Sequence, residues 1–438
     1  MHGVTEGNSL MRRFFSSPAE ERFIAWYRRF FKIGEIESEP ILQLALGGLL
    51  LSVFLGFSRW IYSHAISISS YNDNTYLCWP YFQDCGRWYF LQALPEGYSQ
   101  TIIFMGLFSI MALIAYFFYK KEWTMAHMLF VVIWVTKVGI LFVLTQDFAA
   151  NYDYYDVALL FAILFLPYKL FFARLTFVLF YFLASTIKIH EGWVLGSYFT
   201  TLSTGMPIFG NFFAPLFTNL VIGMQTVGSW FLLSKNWLYQ RIALVYFMLF
   251  HIYSGILVGF RYPAVAFVSL VILFALSTKE TYQEVPLNRR ALAGWYFVAV
   301  LFILQFIAIA IPGDQKLTLE GNYYGLFMFE ANHQCISNAI IHYKDGSTRT
   351  VKSQSYDSTW RCDPYGYWFS LHNRCLRDSS IERIEWTFDH SIDGDPFYRI
   401  VDVPDLCTLS YAPFSHNDWI KVPPEAQIVG YPLKNYFQ

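Results

Sequence analysis

Gln43-Leu44-Ala45-Leu46-Gly47-Gly48-Leu49-Leu50-Leu51-Ser52-Val53-Phe54-Leu55-Gly56-Phe57-Ser58-Arg59-Trp60-Ile61-Tyr62-Ser63-His64-Ala65-Ile66 is the first long apolar run of the chain, and its one strong charge, Arg59, falls near its end. Crossing the hydrocarbon core of a bilayer takes about 20 mostly apolar residues. Runs of the same kind recur near 100–119, 126–146, 168–187, 213–234, 240–258 and 291–312, with two shorter ones near 154–166 and 262–277. These runs predict an α-helical polytopic membrane protein of about nine transmembrane helices.

Composition agrees. Of 438 residues, 55% are hydrophobic and only 14% charged, where soluble domains carry roughly a quarter charged residues. The formal net charge of -1 provides no field for gathering nucleic acid, so the bilayer itself is the expected partner. Residues 1–42 are polar and Arg-bearing without a short apolar core and cleavage site, so the first apolar run is expected to do the targeting.

Loop charge orients the spans. With the amino terminus in the cytoplasm, Arg12, Arg13, Arg22, Arg28, Arg29, Lys32, Lys120, Lys121, Lys169, Arg174, Lys235, Arg241, Lys279, Arg289 and Arg290 lie inside, and only Arg87, Lys188 and Arg261 lie outside. The positive-inside rule favours this arrangement, and dropping either short helix would invert every later loop. Nine spans send the carboxyl terminus to the extracytoplasmic side (lumenal, periplasmic or extracellular). Three regions follow: a cytoplasmic segment over 1–42, the transmembrane domain over 43–312, and an extracytoplasmic domain over 313–438.

That last region changes character after Pro312. Ile340-Ile341-His342-Tyr343 precedes the turn Lys344-Asp345-Gly346, and Ile384, Trp386 and Phe388 alternate with Glu385 and Thr387. This pattern predicts a small antiparallel β domain. Cys78, Cys85, Cys335, Cys362, Cys375 and Cys407 all fall on the outer side, and an even count on an oxidising face points to disulfides whose pairing the spacing leaves open. Zinc would need close-spaced ligand pairs, which are missing, so no metal is expected.

Chemistry-bearing residues cluster after one helix. Tyr181-Phe182-Leu183-Ala184-Ser185-Thr186-Ile187-Lys188-Ile189-His190-Glu191-Gly192-Trp193-Val194-Leu195-Gly196 offers Lys, His and Glu within four residues at the outer boundary. One account has Lys188 snorkel to the interface and Trp193 join the aromatic belt. The other has burial disfavour the ammonium, making Lys188 a usable base near neutrality. His251, late in Phe247-Met248-Leu249-Phe250-His251-Ile252-Tyr253, and Lys137, central in its run, are intramembrane ionisable groups and candidates by default. Asp153 and Asp156 begin the fourth run, and either face Lys188 across the bundle or cap the helix. Phosphate-cradling glycine loops, His-Glu-x-x-His pairs and nucleophile elbows are not found.

At these residues the chain resembles the vitamin K-dependent gamma-glutamyl carboxylase family and the wider HTTM-domain membrane proteins. Tyr181 to Gly196 resembles the family's Y-F-I-A-x-x-x-K-x-x-x-x-W-V-x-G segment, Cys85 to Leu94 its C-R-F-P-L-L-D-A-L loop, and Phe250-His251 its F-H pair. Tyr324-Gly325-Leu326-Phe327-Met328-Phe329 is similar to the segment linked to glutamate binding and is followed by a K-D-G-type hairpin. Cys375-Leu376 and Ala412-Pro413-Phe414 through Trp419 are similar to a C-L pair and an S-P-F-x-x-x-x-W segment.

The resemblance implies that Lys188 is the catalytic base, with His251 and Asp153 as further catalytic positions, and that Tyr324, Phe327, Met328 and Trp193 bind substrate. It also implies a Cys85–Cys375 disulfide. The implied activity couples oxygenation of a reduced naphthoquinone to proton abstraction and carboxylation of a glutamate-type substrate, a peptide or protein, at the outer face, with O2 and CO2 as co-substrates. Asp153 stands where the family's N-N-H-S-Y-L carries a functional histidine. The chain also reads as a short form ending soon after Trp419, so propeptide-directed docking is not expected in the same form. The alternative class is a non-catalytic lipid- or quinone-binding membrane protein or assembly factor. A transporter is third, since matching Gly/Pro-interrupted half-repeats are not apparent.

Overall fold

In hydrocarbon no water can bond the backbone, so each apolar run must close its hydrogen bonds within itself as a helix. The computed structural model describes residues 17–63, 77–85, 98–144, 151–202, 204–259, 261–276, 282–355 and 362–432. In chain order the helices are α1 (Pro18–Phe30), α2 (Ile33–Ser38), α3 (Pro40–Ser63), α4 (Tyr98–Tyr119), α5 (Trp123–Gly139), α6 (Asn151–Phe165), α7 (Lys169–Thr186), α8 (Glu191–Val194), α9 (Ser197–Thr200), α10 (Ala214–Thr226), α11 (Trp237–Val258), α12 (Arg261–Leu270), α13 (Leu292–Ala310), α14 (Gln315–Thr318) and α15 (Pro364–Arg377).

Over their described residues all nine apolar runs are mainly helical, and among the described residues six helices are long and apolar enough to cross a membrane: α3, α4, α5, α7, α11 and α13. Three of the nine runs form helices shorter than a full crossing. The 154–166 run forms the 15-residue α6, followed closely by Pro167, which lacks an N–H and disfavours helix in the residue before it. The 213–234 run forms the 13-residue α10, then breaks into a 3₁₀ helix over Gly228–Leu233. The 262–277 run gives only ten α-helical residues before a π-turn over Val271–Ala275.

The helices are not equivalent. Of the apolar window in α7, 89% is buried inside the protein, against 22% in α4 and 28% in α13. α7 is thus the most buried of the six long helices. α13 comes close to it at Gly294, where a Cβ would run into the Phe172 ring. Lys137 on α5 is wedged between Asp153 and Asp156 of α6, at 2.9 and 2.8 Å, and Ser52 of α3 donates to Asp156 at 2.7 Å. Asp153 therefore neither faces Lys188 nor merely caps its helix: a nearer cation engages it.

The segment before the first span is also structured. Ser17 and Glu20 form a reciprocal capping box that starts α1. Tyr27 and Arg28 then dock the helix through His127 Nδ1 at 2.8 Å and through Glu37 and Thr124.

Beyond α13 stands a five-stranded antiparallel sheet of order β2-β1-β3-β4-β5, with β1 His333–Tyr343, β2 Thr348–Ser355, β3 Ile381–Ile392, β4 Phe397–Val403 and β5 Gln427–Gly430. The expected hairpin closes at Tyr343–Ser347, and Ile384, Trp386 and Phe388 point into the core, as their alternation requires. The helix α15, capped by Asp363, was not expected. Its Tyr365 hydroxyl donates to the carbonyl of Cys78 at 2.8 Å, and Gln83 donates to the carbonyl of Tyr411 at 2.9 Å. Residues 77–85, between the first two long helices, thus belong to the core of this lid.

The disulfides are Cys78–Cys85, Cys335–Cys362 and Cys375–Cys407. The Cys85–Cys375 staple is corrected: the turn over Pro80–Phe82 brings Cys78 to a Cα separation of 5.6 Å from Cys85, within the span a disulfide accepts. The loop is seated on the lid by hydrogen bonds and packing, not by a covalent link. Non-reducing peptide mapping should recover those three pairs, and Cys375→Ser should expose Cys407 to alkylation. Reactivity appearing at Cys85 instead would restore the staple.

Candidate functional site

The site begins where α7 runs out. Ser185 and Thr186 turn their hydroxyls back onto the carbonyls of Phe182 and Leu183 at 2.6 and 2.7 Å. Lys188, two residues past the span, likewise folds back, and its Nζ donates to the Ala184 carbonyl at 2.6 Å. At 4% exposure the side chain does not snorkel. The end of a helix welcomes positive charge, but burial is the larger effect and pushes the Lys188 ammonium down to about 8, with Glu330 pulling the other way. The Trp193 ring covers the amine, its centroid 5.4 Å from Nζ, and Ile187 packs with Phe327 and Ala308.

Tight turns deliver Trp193 to this position. His190 caps α8 by accepting from Gly192 N at Nδ1, so its Nε2 carries the proton given to the Glu330 carbonyl at 2.6 Å. Gly196 follows with φ +78°, where any Cβ would meet Ala214 and Pro215 at the start of α10.

The segment Tyr324–Glu330 comes down onto the bundle from above. Gln305 of α13 holds the backbone of Leu326 on both sides, accepting from its N–H at 2.7 Å and donating to its carbonyl at 3.5 Å. Leu326 and Met328 enter the core of the helical bundle, and Trp193 Nε1 donates to the Phe329 carbonyl at 2.9 Å. Tyr324 donates to the Pro413 carbonyl at 2.8 Å and stacks on Phe414 at 5.0 Å. Two stretches far apart in sequence, 185–198 and 324–330, are thereby brought together.

Of the residues nominated from sequence, Lys188, Trp193, Phe327 and Met328 gather at this junction, and Tyr324 flanks it. His251 lies deeper along α7, its Nε2 meeting the Tyr181 hydroxyl at 2.6 Å, three residues before Ala184, whose carbonyl takes the Lys188 amine. Asp153 is held by Lys137. Of the loop similar to the family's C-R-F-P-L-L-D-A-L segment, residues 86–94 lie outside the described residues. Among the described residues no group of three or more His, Cys, Asp or Glu is arranged to hold a metal ion.

Sequence reasoning missed the polar cluster on the lid side. Glu330 is 3% exposed and places its Oε1 3.8 Å from His333 Nε2. His333 Nδ1 lies 3.0 Å from His390 Nε2, and His390 Nδ1 lies 2.7 Å from the Leu317 carbonyl. A carbonyl only accepts, so His390 donates to it from Nδ1 and receives from His333 at Nε2, which leaves His333 Nε2 facing Glu330. Burial pushes His390 down to about 3 and holds it neutral. Asp393, 7% exposed, accepts from Asn332 N at 2.9 Å through Oδ1, while Oδ2 has no hydrogen-bond partner among the described residues. Its burial raises it to about 7, and Gly192 stands opposite with no room for a Cβ. The polar run Glu330-Ala331-Asn332-His333 was a visible signal, but His390 and Asp393 join only through the β1–β3 register, in which Cys335 pairs with His390.

Fold and site together define a class: a mostly helical protein with, among its described residues, six helices fit to cross a membrane, a small antiparallel sheet, and a buried amine where the two meet. Compared with known protein families, curated proteins and solved structures, the chain matches none.

A lysine that titrates near 8 when folded and 10.5 when unfolded penalises the fold at every pH below about 8, and the penalty fades as pH rises to 10.5. Lys188→Met should therefore raise the melting temperature at pH 7, with the gain shrinking between pH 8 and 10.5; a gain independent of pH would refute the buried amine. Asp393 has the opposite sign, since its penalty appears as pH rises from 3.8 and is complete above about 7. Asp393→Asn should stabilise at pH 8 and give no advantage at pH 4, checked by the same melts.

Proposed function

We propose that the chain is a membrane enzyme of the vitamin K-dependent carboxylase type, with Lys188 as the base that activates a reduced lipid quinone. The observation that carries this is the state of Lys188: a buried amine, pushed down to about 8, bonded to a carbonyl and covered by an aromatic ring. A side chain in that state accepts a proton at Nζ near neutral pH, which an exposed lysine does not do.

The residues around the amine suit a flat aromatic ligand. Trp193, stacked on Tyr198 and covering the amine, together with Ile187 and Phe327 makes the surroundings of Lys188 aromatic and apolar. Bound there, a reduced naphthoquinone with O2 would supply a base strong enough to remove a carbon-bound proton from a glutamate-type substrate, to which CO2 then adds. The chain's own part is narrower. Trp193, fixed by its bond to the Phe329 carbonyl, excludes water above Lys188. Glu330, the opposite charge that Lys188 feels most, is placed to draw the proton onward to the lid side. Nine crossings, a cytoplasmic amino terminus and an extracytoplasmic lid belong to the same proposal, supported by the loop-charge bias and by three disulfides confined to the lid end.

One observation favours the second reading, a non-catalytic quinone- or lipid-binding protein. The position that carries a histidine in the similar family is Asp153, and here it forms a buried ion pair with Lys137. Oxygen uptake dependent on added menaquinol separates the two. Wild type should turn over and Lys188→Ala should lose about 100- to 10,000-fold, the range of a general base, at unchanged expression. Uptake that survives Lys188→Ala sinks the assignment, and menaquinol binding without turnover awards the chain to the second class.

A further inference from the structure

At the opposite end of α7 from Lys188 lies a cavity of about 370 Å³, a volume within the range of small-molecule sites. Its body is apolar: Leu175 and Leu179 of α7 face Val298 and Phe302 of α13, with Trp230 and Trp295 completing the wall. Its other end is polar, bounded by Ser234, Lys235, Gln240 and Gln283, with Arg174 beside them and its Nε donating to the Leu273 carbonyl at 2.9 Å. The break that shortens α10 explains why a space exists, because the 3₁₀ helix Gly228–Leu233 lines it. Irregular backbone at membrane depth is tolerated where it borders protein or a cavity.

The two-ended lining is what decides the ligand. A wholly apolar molecule would strand the polar end, and a free anion would leave the hydrocarbon-lined body without a partner. The starts of α11 and α13 meet at this cavity through Trp237, Gln240 and Trp295, and the exposed Arg289 and Arg290 stand just before α13, positive charge that anionic headgroups seek. Two opposing charges stand nearby among the described residues: Glu39 acts on Arg174, and Glu284 lies 3.7 Å from Lys235, both of these side chains being exposed, at 87% and 67%. Such a pair is worth little and yields readily to a phosphate.

We propose that this cavity is a binding site for an anionic phospholipid, its phosphate at the Lys235 and Arg174 end and one acyl chain between α7 and α13. The site is separate from the Lys188 junction and stands whether or not the chain is a carboxylase. Full-length protein in mild detergent can be titrated with monomeric dihexanoyl-phosphatidylglycerol and dihexanoyl-phosphatidylcholine while the melting temperature is followed. Phosphatidylglycerol should raise it saturably and phosphatidylcholine should not. Lys235→Glu, an exposed change that leaves the packing intact, should weaken the apparent affinity at least tenfold. Val298→Trp should abolish the response by filling the channel, and Leu179→Phe serves the same purpose if the tryptophan variant does not fold. Equal shifts from the two lipids, no shift from phosphatidylglycerol, the same shift from inorganic phosphate alone, or an unaltered titration in the variants would each overturn the proposal.

Discussion

Gln305 gripping Leu326 is the contact on which the functional end of the molecule rests. A glutamine in an apolar helix must find a partner or incur the cost of an unbonded amide, and here the partner is the backbone of a strap from the lid. That bond fixes the height of the strap above α13, and its neighbours follow. Leu326 and Met328 drop into the helical core, Phe327 lies against Ile187, and the carbonyls of Phe329 and Glu330 meet Trp193 and His190. Gly325 is part of the device, since any side chain there would strike Gln305. The seclusion of Lys188 is thus a consequence of how the lid is seated. Its amine is shut in by residues whose positions are set at Gln305.

A second polar cluster holds the helices to each other. Lys137, Asp153, Asp156 and Ser52 join α3, α5 and α6 at a level where burial is essentially complete. Burying charges is expensive even when they are paired, but once they are buried, removing one partner costs about 3–5 kcal/mol because the remainder is left uncompensated. Such a cluster fixes which helices meet and in what rotation, a discrimination that apolar packing in lipid supplies weakly. It also uses up Asp153 and Asp156, leaving the Lys188 junction to draw its acidic groups from the lid.

Much of this was legible in the residues. Apolar run length gave the positions of the helices because the physics is local: twenty residues without water either form a helix or fail. Whether a run stays one helix is a separate matter that run length does not weigh: α6 ends just before Pro167, and the runs after α10 and α12 change to a 3₁₀ helix at Gly228 and a π-turn at Val271. Lys188 and Trp193 were legible as a cluster of unusual residue types at a helix end. His390 and Asp393 were not, because their meeting with the polar run Glu330–His333 depends on strand register and on the seat of the strap. The Cys85–Cys375 pairing failed for a related reason. A resemblance in a loop carried over a partner that the local turn had already replaced with Cys78.

Residues 77–85 sit in the lid's core, yet they are made near the start of the chain and their partner Tyr365 near the end. At about 5–20 residues per second, the 287 residues between Cys78 and Tyr365 take roughly 15–60 s to synthesise. Through that interval the small Cys78–Cys85 ring can close by itself, since both thiols are already present, whereas an unpaired Cys85 would have waited exposed for Cys375. The local disulfide therefore makes the early loop a finished, inert part before the rest of the lid arrives, and the order of synthesis itself protects against mispairing.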